Sequence, residues 1–171
     1  MALLPIIVAP DPRLKIKTEP VESVDDELLG FLENMLETMY AADGIGLAAP
    51  QVGDGRSIIV LDTTYREEDP HPLCIVNPEI VWTSDAQRAH QEGCLSLPEH
   101  YAEVLRPDSI KIKYLDKTGT VQELKADGML ATCIQHEMDH LKGILFVDHV
   151  SSVKRNMILR KLKKAKKLAA A

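Results

Sequence analysis

The stretch that most constrains the fold is CIQHEMDHLKG, residues 133–143, because it contains the spacing His-Glu-x-x-His. Two histidines four residues apart lie on the same face of a helix, one turn above each other. His136 and His140 are therefore predicted to lie on a helix as two ligands of one metal ion. Glu137 can reach the open side of that ion, where it would act as a general base toward water.

A catalytic metal site of this kind usually has three protein ligands, and the pattern supplies only two. Cys94 is the favoured third ligand, since a thiolate suits a borderline-soft ion. Asp148 and His149 remain alternatives, as does an exposed helix that binds no metal. Cys133 is disfavoured as a ligand because it would lie about 10 Å along the helix axis from His140. Cys133 is better explained as a small packing residue than as a ligand.

The remaining patterns predict strands in the middle of the chain and helices on either side of them. The predicted strands, rich in β-branched or alternating apolar residues, are 57–62, 73–76, 79–83, 109–116 and 121–126. The predicted helices begin after Ser23 or Asp25, at about 127, and at about 151, and they end near 41–43, 141 and 167. This order favours an α+β fold with antiparallel or mixed sheets around a central metal-binding helix, an N-terminal helix and a C-terminal basic helix.

Length and charge limit the partners of the chain. Its 171 residues fit one domain, 1–171, in which residues from about 151 to 171 form a helical extension. The net charge is -6, yet residues 154–171 contain eight Lys or Arg and no acid. The apolar residues Val153, Met157, Ile158 and Leu162 of this last helix are expected to dock on the body of the protein. The acidic body should repel DNA, whereas the tail could bind nucleic acid. No apolar run is long enough to cross a membrane, and the apolar N-terminal residues 1–13 lack the basic start of a secretory signal. A cytoplasmic protein with reduced cysteines is therefore expected.

A second motif, DGIGLAAPQ, occupies residues 43–51, directly after the first predicted helix. Its glycines and alanines would let another chain approach the backbone closely. It lacks the spacing of a phosphate-binding loop, and a simple helix-to-strand turn is the alternative. The amide of Gln51 could donate a hydrogen bond to a developing oxyanion.

Three segments together, GIGLAAPQ (44–51), EGCLSLP (92–98) and QHEMDHLKG (135–143), resemble the peptide deformylase family. The likeness extends over nearly the whole chain and includes PDPRL (10–14) and NPEI (77–80). It implies hydrolytic removal of the N-formyl group from the first methionine of newly made polypeptides, with release of formate. It also implies one divalent metal ion, usually Fe(II), which zinc, nickel or cobalt can replace.

The resemblance further implies roles for individual residues. The implied metal ligands are Cys94, His136 and His140, the implied acid/base is Glu137, and the implied oxyanion donors are Gln51 and the backbone N–H of Leu95. The substrate is expected to lie extended along this chain, with its methionine side chain in an apolar pocket. The implied substrate-binding residues are Ile45, Gly46, Gly93, Met129 and Cys133.

Two other classes of function share some of these features. A metalloprotease of another type would also use His-Glu-x-x-His, but Phe146 stands where such enzymes place a third histidine, and no glutamate follows Glu137. A binding protein without activity would be expected to lack one of the metal ligands or the base, and this sequence keeps all of them.

For the basic C-terminal helix, the resemblance implies contact with ribosomal RNA, and a solvated helix without a partner is the alternative.

Overall fold

The computed structural model describes residues 2–64, 66–67 and 69–170. Its α-helices are α1 (Asp26–Ala41), α2 (Gly128–His140) and α3 (Ser152–Ala169). Its strands are β1 (Gly46–Ala48), β2 (Ile58–Leu61), β3 (Leu73–Thr83), β4 (Gln87–Cys94), β5 (Leu97–Pro107), β6 (Ser109–Leu115) and β7 (Val121–Asp127). Short 3-10 helices occupy Pro12–Lys15, Ala49–Val52 and Phe146–His149. The predicted α+β class is confirmed.

Five strands form one antiparallel sheet in the order β1-β2-β3-β6-β7, and β4 and β5 form a separate hairpin. Strand β2 is buried along its whole length because helices cover both faces of the sheet. Ile59 and Leu61 pack in the cluster that contains the apolar residues of α2, whereas Ile58 and Val60 pack in the cluster that contains those of α1. Successive side chains of β2 point to opposite faces of the sheet, so one set packs with α2 and the other packs with α1.

The β4–β5 hairpin, the N-terminal segment and α3 enclose a third cluster. From α3 it takes Ile158 and Leu162, which are buried, as predicted. The expectation that Val153 and Met157 also dock on the body was wrong, since 79% and 44% of their surfaces are exposed. Each residue turns the helix by about 100°, so these two side chains point away from the face that carries Ile158.

The start of α1 agrees with one of the two predicted caps, whereas the strand boundaries differ from the prediction. Helix α1 is capped by Asp25, whose carboxylate accepts a hydrogen bond from Leu28 N at 2.9 Å. The predicted strands 73–76 and 79–83 are one strand, β3, in which Asn77 has a φ of 51° and the register with β6 shifts. Strands β4 and β5 lie outside all predicted strands. None of the helices in the described part of the chain has the length and apolar character needed to cross a membrane.

Candidate active site

Three donor atoms from two elements meet where the β4–β5 hairpin crosses α2. Cys94 ends β4, whereas His136 and His140 lie one turn apart on α2, as predicted. The sulfur and the ring nitrogens all lie within 4.8 Å of one another, and Cys94 Sγ is 3.4 Å from His140 Nε2. In the described residues, this is the only group of three such side chains close enough to bind one metal ion.

The chemistry of this donor set fits a single divalent metal ion. A tetrahedral ion bonds histidine nitrogen at about 2.0 Å and thiolate at about 2.3 Å, which places its ligand atoms roughly 3.5 Å apart. The observed separations need only small side-chain adjustments, and three protein ligands leave a fourth position for water or substrate. Burial holds the pKa of His140 well below its usual range. Its ring is therefore neutral, which is the form that binds a metal.

The orientation of His136 is fixed by a buried charged network that sequence reasoning missed. Glu92 Oε1 lies 2.8 Å from His136 Nδ1, which leaves Nε2 for an ion. Arg106 donates to both oxygens of Glu92, at 2.7 and 2.9 Å, and to Asp139 at 2.9 Å. Burial opposes ionisation of Glu92, but hydrogen bonds from His136 and Arg106 lower its pKa to about 2. A charged Glu92 therefore selects the tautomer and the rotation of the His136 ring.

Glu137 places a carboxylate beside the three donor atoms. Its Oε1 is 3.9 Å from His136 Nε2, and its Oε2 is buried without a hydrogen-bond partner among the described residues. Burial raises the pKa of Glu137 to about 7, which suits a group that takes up and returns a proton near neutral pH. Gly46 makes room for it, because a Cβ at that position would lie 2.8 Å from Oε1.

A cavity of about 520 Å³ opens beside these groups. The structure brings all five predicted substrate-binding residues to its wall, namely Ile45, Gly46, Gly93, Met129 and Cys133. Cys94, Leu95, His136 and Glu137 line it as well. Gln51 and His140 are absent from this wall, and each lies behind it within reach of Cys94 Sγ, at 3.5 and 3.4 Å.

The amide of Gln51 is held at both ends, so its direction is fixed. Its Oε1 accepts a hydrogen bond from Ala48 N at 2.9 Å. Its Nε2 donates to Ser96 Oγ at 3.0 Å and to Cys94 Sγ at 3.5 Å. The nitrogen end therefore faces the donor group, which is the orientation that an oxyanion donor requires.

The alternative ligands lie elsewhere. Asp148 forms ion pairs with two basic side chains, and His149 Nε2 lies 2.7 Å from Asp139 Oδ2, so neither belongs to the group of three. The Cys133 thiol lies 3.7 Å from the carbonyl oxygen of Ile45, and burial raises its pKa well above the usual range. Cys133 is therefore a protonated residue of the cavity wall.

Comparison with known proteins assigns the chain to a family. The sequence model of polypeptide deformylases matches residues 3–156. The chain belongs to the polypeptide deformylase family. The peptide deformylase of Methylocella silvestris is 51% identical over 173 residues, which cover 99% of this chain and 88% of that deformylase. For the peptide deformylase of Phenylobacterium zucineum, the identity is 52% over 169 residues, with coverage of 99% and 100%.

Solved deformylase structures share the fold over the same extent. The crystal structure of the peptide deformylase from Ehrlichia chaffeensis matches with a TM-score of 0.94 at 38% identity, and the match covers 99% of this chain and 100% of that one. The resemblance inferred from three motifs is thus confirmed, together with the hydrolase class. The metalloprotease and inactive binding-protein alternatives have no such support.

Proposed function

We propose that this deformylase hydrolyses the formamide of formyl-methionyl polypeptides at the site formed by Cys94, His136, His140 and Glu137. The observation that carries the proposal is the meeting of a Cys-His-His donor group with a buried carboxylate at the wall of one cavity. A divalent ion held by the three donors supplies a Lewis acid that activates water and polarises a carbonyl oxygen.

Glu137 acts as the acid/base. It takes a proton from the attacking water and returns it to the amine nitrogen as the C–N bond breaks, which gives formate and a free amino terminus. Burial raises the pKa of Glu137 to about 7, which supports a carboxylate that both accepts and returns a proton. The surrounding burial keeps other water away from the carboxylate.

Gln51 and the backbone N–H of Leu95 donate hydrogen bonds to the oxygen of the formyl group as negative charge develops on it. The hydrogen bonds of Gln51 to Ala48, Ser96 and Cys94 hold its amide nitrogen on the side of the donor group, which supports this role. Leu95 follows Cys94 directly, in the turn that joins β4 to β5, and it lines the same cavity, which supports this role.

The substrate backbone lies extended between Ile45-Gly46 and Gly93, as an added strand, because β1 is an edge of the five-stranded sheet. The methionine side chain enters the part of the cavity lined by Met129 and Cys133. A flexible, unbranched thioether side chain can fill an irregular apolar pocket of this kind.

The metal is one divalent ion, and we propose Fe(II) as the native one, with zinc, nickel or cobalt able to replace it. The ligand set supports a metal that accepts one thiolate and two imidazoles. We also propose that residues 1–171 act as one domain in the cytoplasm, with about 151–171 as its helical extension.

The test of the reaction uses formyl-Met-Ala and the same peptide without the formyl group. The proposal predicts release of formate from the first and no cleavage of the second. Cleavage of the Met-Ala bond without formate would contradict it and would favour the metalloprotease alternative.

We propose further that α3 binds ribosomal RNA. Its outward face exposes several cations, including Lys161, Lys164 and Lys167, while the body of the chain is acidic. Deleting α3 would uncover the cluster that Ile158 and Leu162 fill, so charge substitution is the sharper test. Replacing the three lysines by glutamine should weaken ribosome binding and lower its salt dependence by about one unit of slope for each lost phosphate contact. Unchanged ribosome affinity, with activity on formyl-Met-Ala intact, would refute this role.

A further inference from the structure

We propose that His149, on the segment that leads into α3, is a positioning residue of the metal site. A continuous series of contacts joins it to a proposed ligand. His149 Nε2 lies 2.7 Å from Asp139 Oδ2, Arg106 Nη1 donates to the same oxygen at 2.9 Å, and Arg106 donates to Glu92 at 2.7 and 2.9 Å. Glu92 Oε1 completes the series, 2.8 Å from His136 Nδ1. The inference rests on the proposed function of that site.

The inner part of this series is buried and the outer part reaches solvent. The side chains of Arg106 and Glu92 are 6% and 3% exposed, that of Asp139 is 17% exposed, and that of His149 is 36% exposed. Arg106 therefore sits between two carboxylates, and its guanidinium direction depends on both. A buried guanidinium that loses one of two acceptors turns toward the other, because charged donors are costly to leave unpaired.

His149 acts on this arrangement by holding the outer carboxylate. Asp139 Oδ2 accepts from Arg106 and from His149 together, so the two donors fix the rotation of the carboxylate. Without His149, the partly exposed carboxylate can rotate toward water. Arg106 then shifts, Glu92 follows, and the ring of His136 loses the orientation that presents Nε2 to the ion.

The same contact reaches a second ligand through the backbone. Asp139 precedes His140 in the last turn of α2, so a carboxylate held in place also stabilises the turn that carries this ligand. His149 itself ends the 3-10 helix Phe146–His149, two residues before Ser151 caps α3. The series therefore joins the base of the C-terminal helix to both histidines of the site.

The experiment compares metal affinity among three variants of the full chain. His149→Phe keeps the ring shape but removes the donor, and His149→Gln keeps an N–H donor at a similar distance. Asp148→Asn is the matched control. Asp148 lies in the same 3-10 helix as His149, and its side chain forms ion pairs with Lys15 and Arg155 rather than with a member of the series. The readouts are the apparent dissociation constant of Zn²⁺ against a chelator and the visible absorption of the Co²⁺-loaded protein.

Replacing groups that orient metal ligands usually weakens metal binding 10- to 100-fold, and His149 is four contacts from the ligand, so we expect about 3- to 10-fold for His149→Phe. The Co²⁺ absorption should change in this variant, and His149→Gln should restore both readouts. Asp148→Asn should leave them unchanged even though it lowers stability. Wild-type affinity in His149→Phe would overturn the inference, as would an equal loss in Asp148→Asn. Absence of metal binding by the wild-type chain would instead contradict the proposed function itself.

Discussion

The backbone of Gly46 packs directly against the carboxylate of Glu137, so closely that a Cβ at position 46 would lie 2.8 Å from Oε1 and 3.0 Å from Cδ. Gly46 begins β1, the edge strand proposed to pair with the substrate, and Glu137 lies on α2 beneath it. The missing side chain therefore lets the proposed substrate-binding strand and the proposed acid/base share one wall of the cavity.

Gly46→Ala should lower kcat because the new methyl group must displace the carboxylate. A misplacement of about 1 Å costs on the order of 100-fold in rate, so we expect a loss of about 10- to 100-fold in formate release with metal content unchanged. Gly30→Ala is the control, since nothing lies within 4 Å of its added Cβ on α1. Full activity in Gly46→Ala would show that this contact does not position Glu137.

Gln51→Glu tests the proposed oxyanion donor. The carboxylate can still accept from Ala48 N, but it has no N–H to donate toward the site. Loss of one such donor typically costs about 10²- to 10³-fold in kcat, and we expect that loss here in steady-state assays. Ser96→Ala removes one of the two acceptors of Gln51 Nε2 but leaves the amide N–H groups in place, and it should have a much smaller effect. Equal kcat in Gln51→Glu and the wild type would exclude Gln51 as a donor.

Asp148 should make stability depend on pH. Burial opposes its ionisation, yet hydrogen bonds from Lys15, the Leu145 backbone and Arg155 lower its pKa from 3.8 to about 2. The folded state binds the proton less tightly than the unfolded state, so this contribution is complete above about pH 4 and disappears as the pH falls toward 2. The partners are partly exposed and solvent weakens the pairs, so we expect about 1 kcal/mol.

Urea unfolding of the wild type and Asp148→Asn measures this contribution. The difference between their free energies of unfolding should be present at pH 7 and should shrink toward zero between pH 4 and pH 2. A difference that stays constant over this range would mean that the ion pairs of Asp148 do not stabilise the fold.

The sequence predicted the parts of the fold that rest on local patterns. The alternation of Ile110 and Ile112 with lysines predicted β6, and the histidine spacing predicted α2. The β4–β5 hairpin was not predicted because β4, QRAHQEGC, is mostly polar, and because one of the buried positions of β5 is Arg106. From sequence alone, a buried polar residue is taken for an exposed one, because the partners that allow its burial are not known.

The candidate site was likewise predicted from the sequence only in part. Motifs and family resemblance singled out the residues around the cavity, which the fold brings together from segments more than forty positions apart. Glu92, Arg106 and Asp139 were missed, because their mutual contacts follow from the crossing of β4 and β5 over α2 rather than from any spacing along the chain. The sequence did contain one signal, a glutamate two residues before the proposed cysteine ligand.

The central claim is that Cys94 completes a metal site that drives deformylation, and metal bound per chain is its most direct measurement. Anaerobically purified wild-type protein should contain about one divalent ion per chain and should release formate from formyl-Met-Ala. Both results are expected because three protein ligands hold one ion and leave its fourth position open for water or substrate. Cys94→Ala should lose most of the metal and nearly all formate release while remaining folded. A Cys94→Ala protein that retains one ion per chain and full activity would contradict the account.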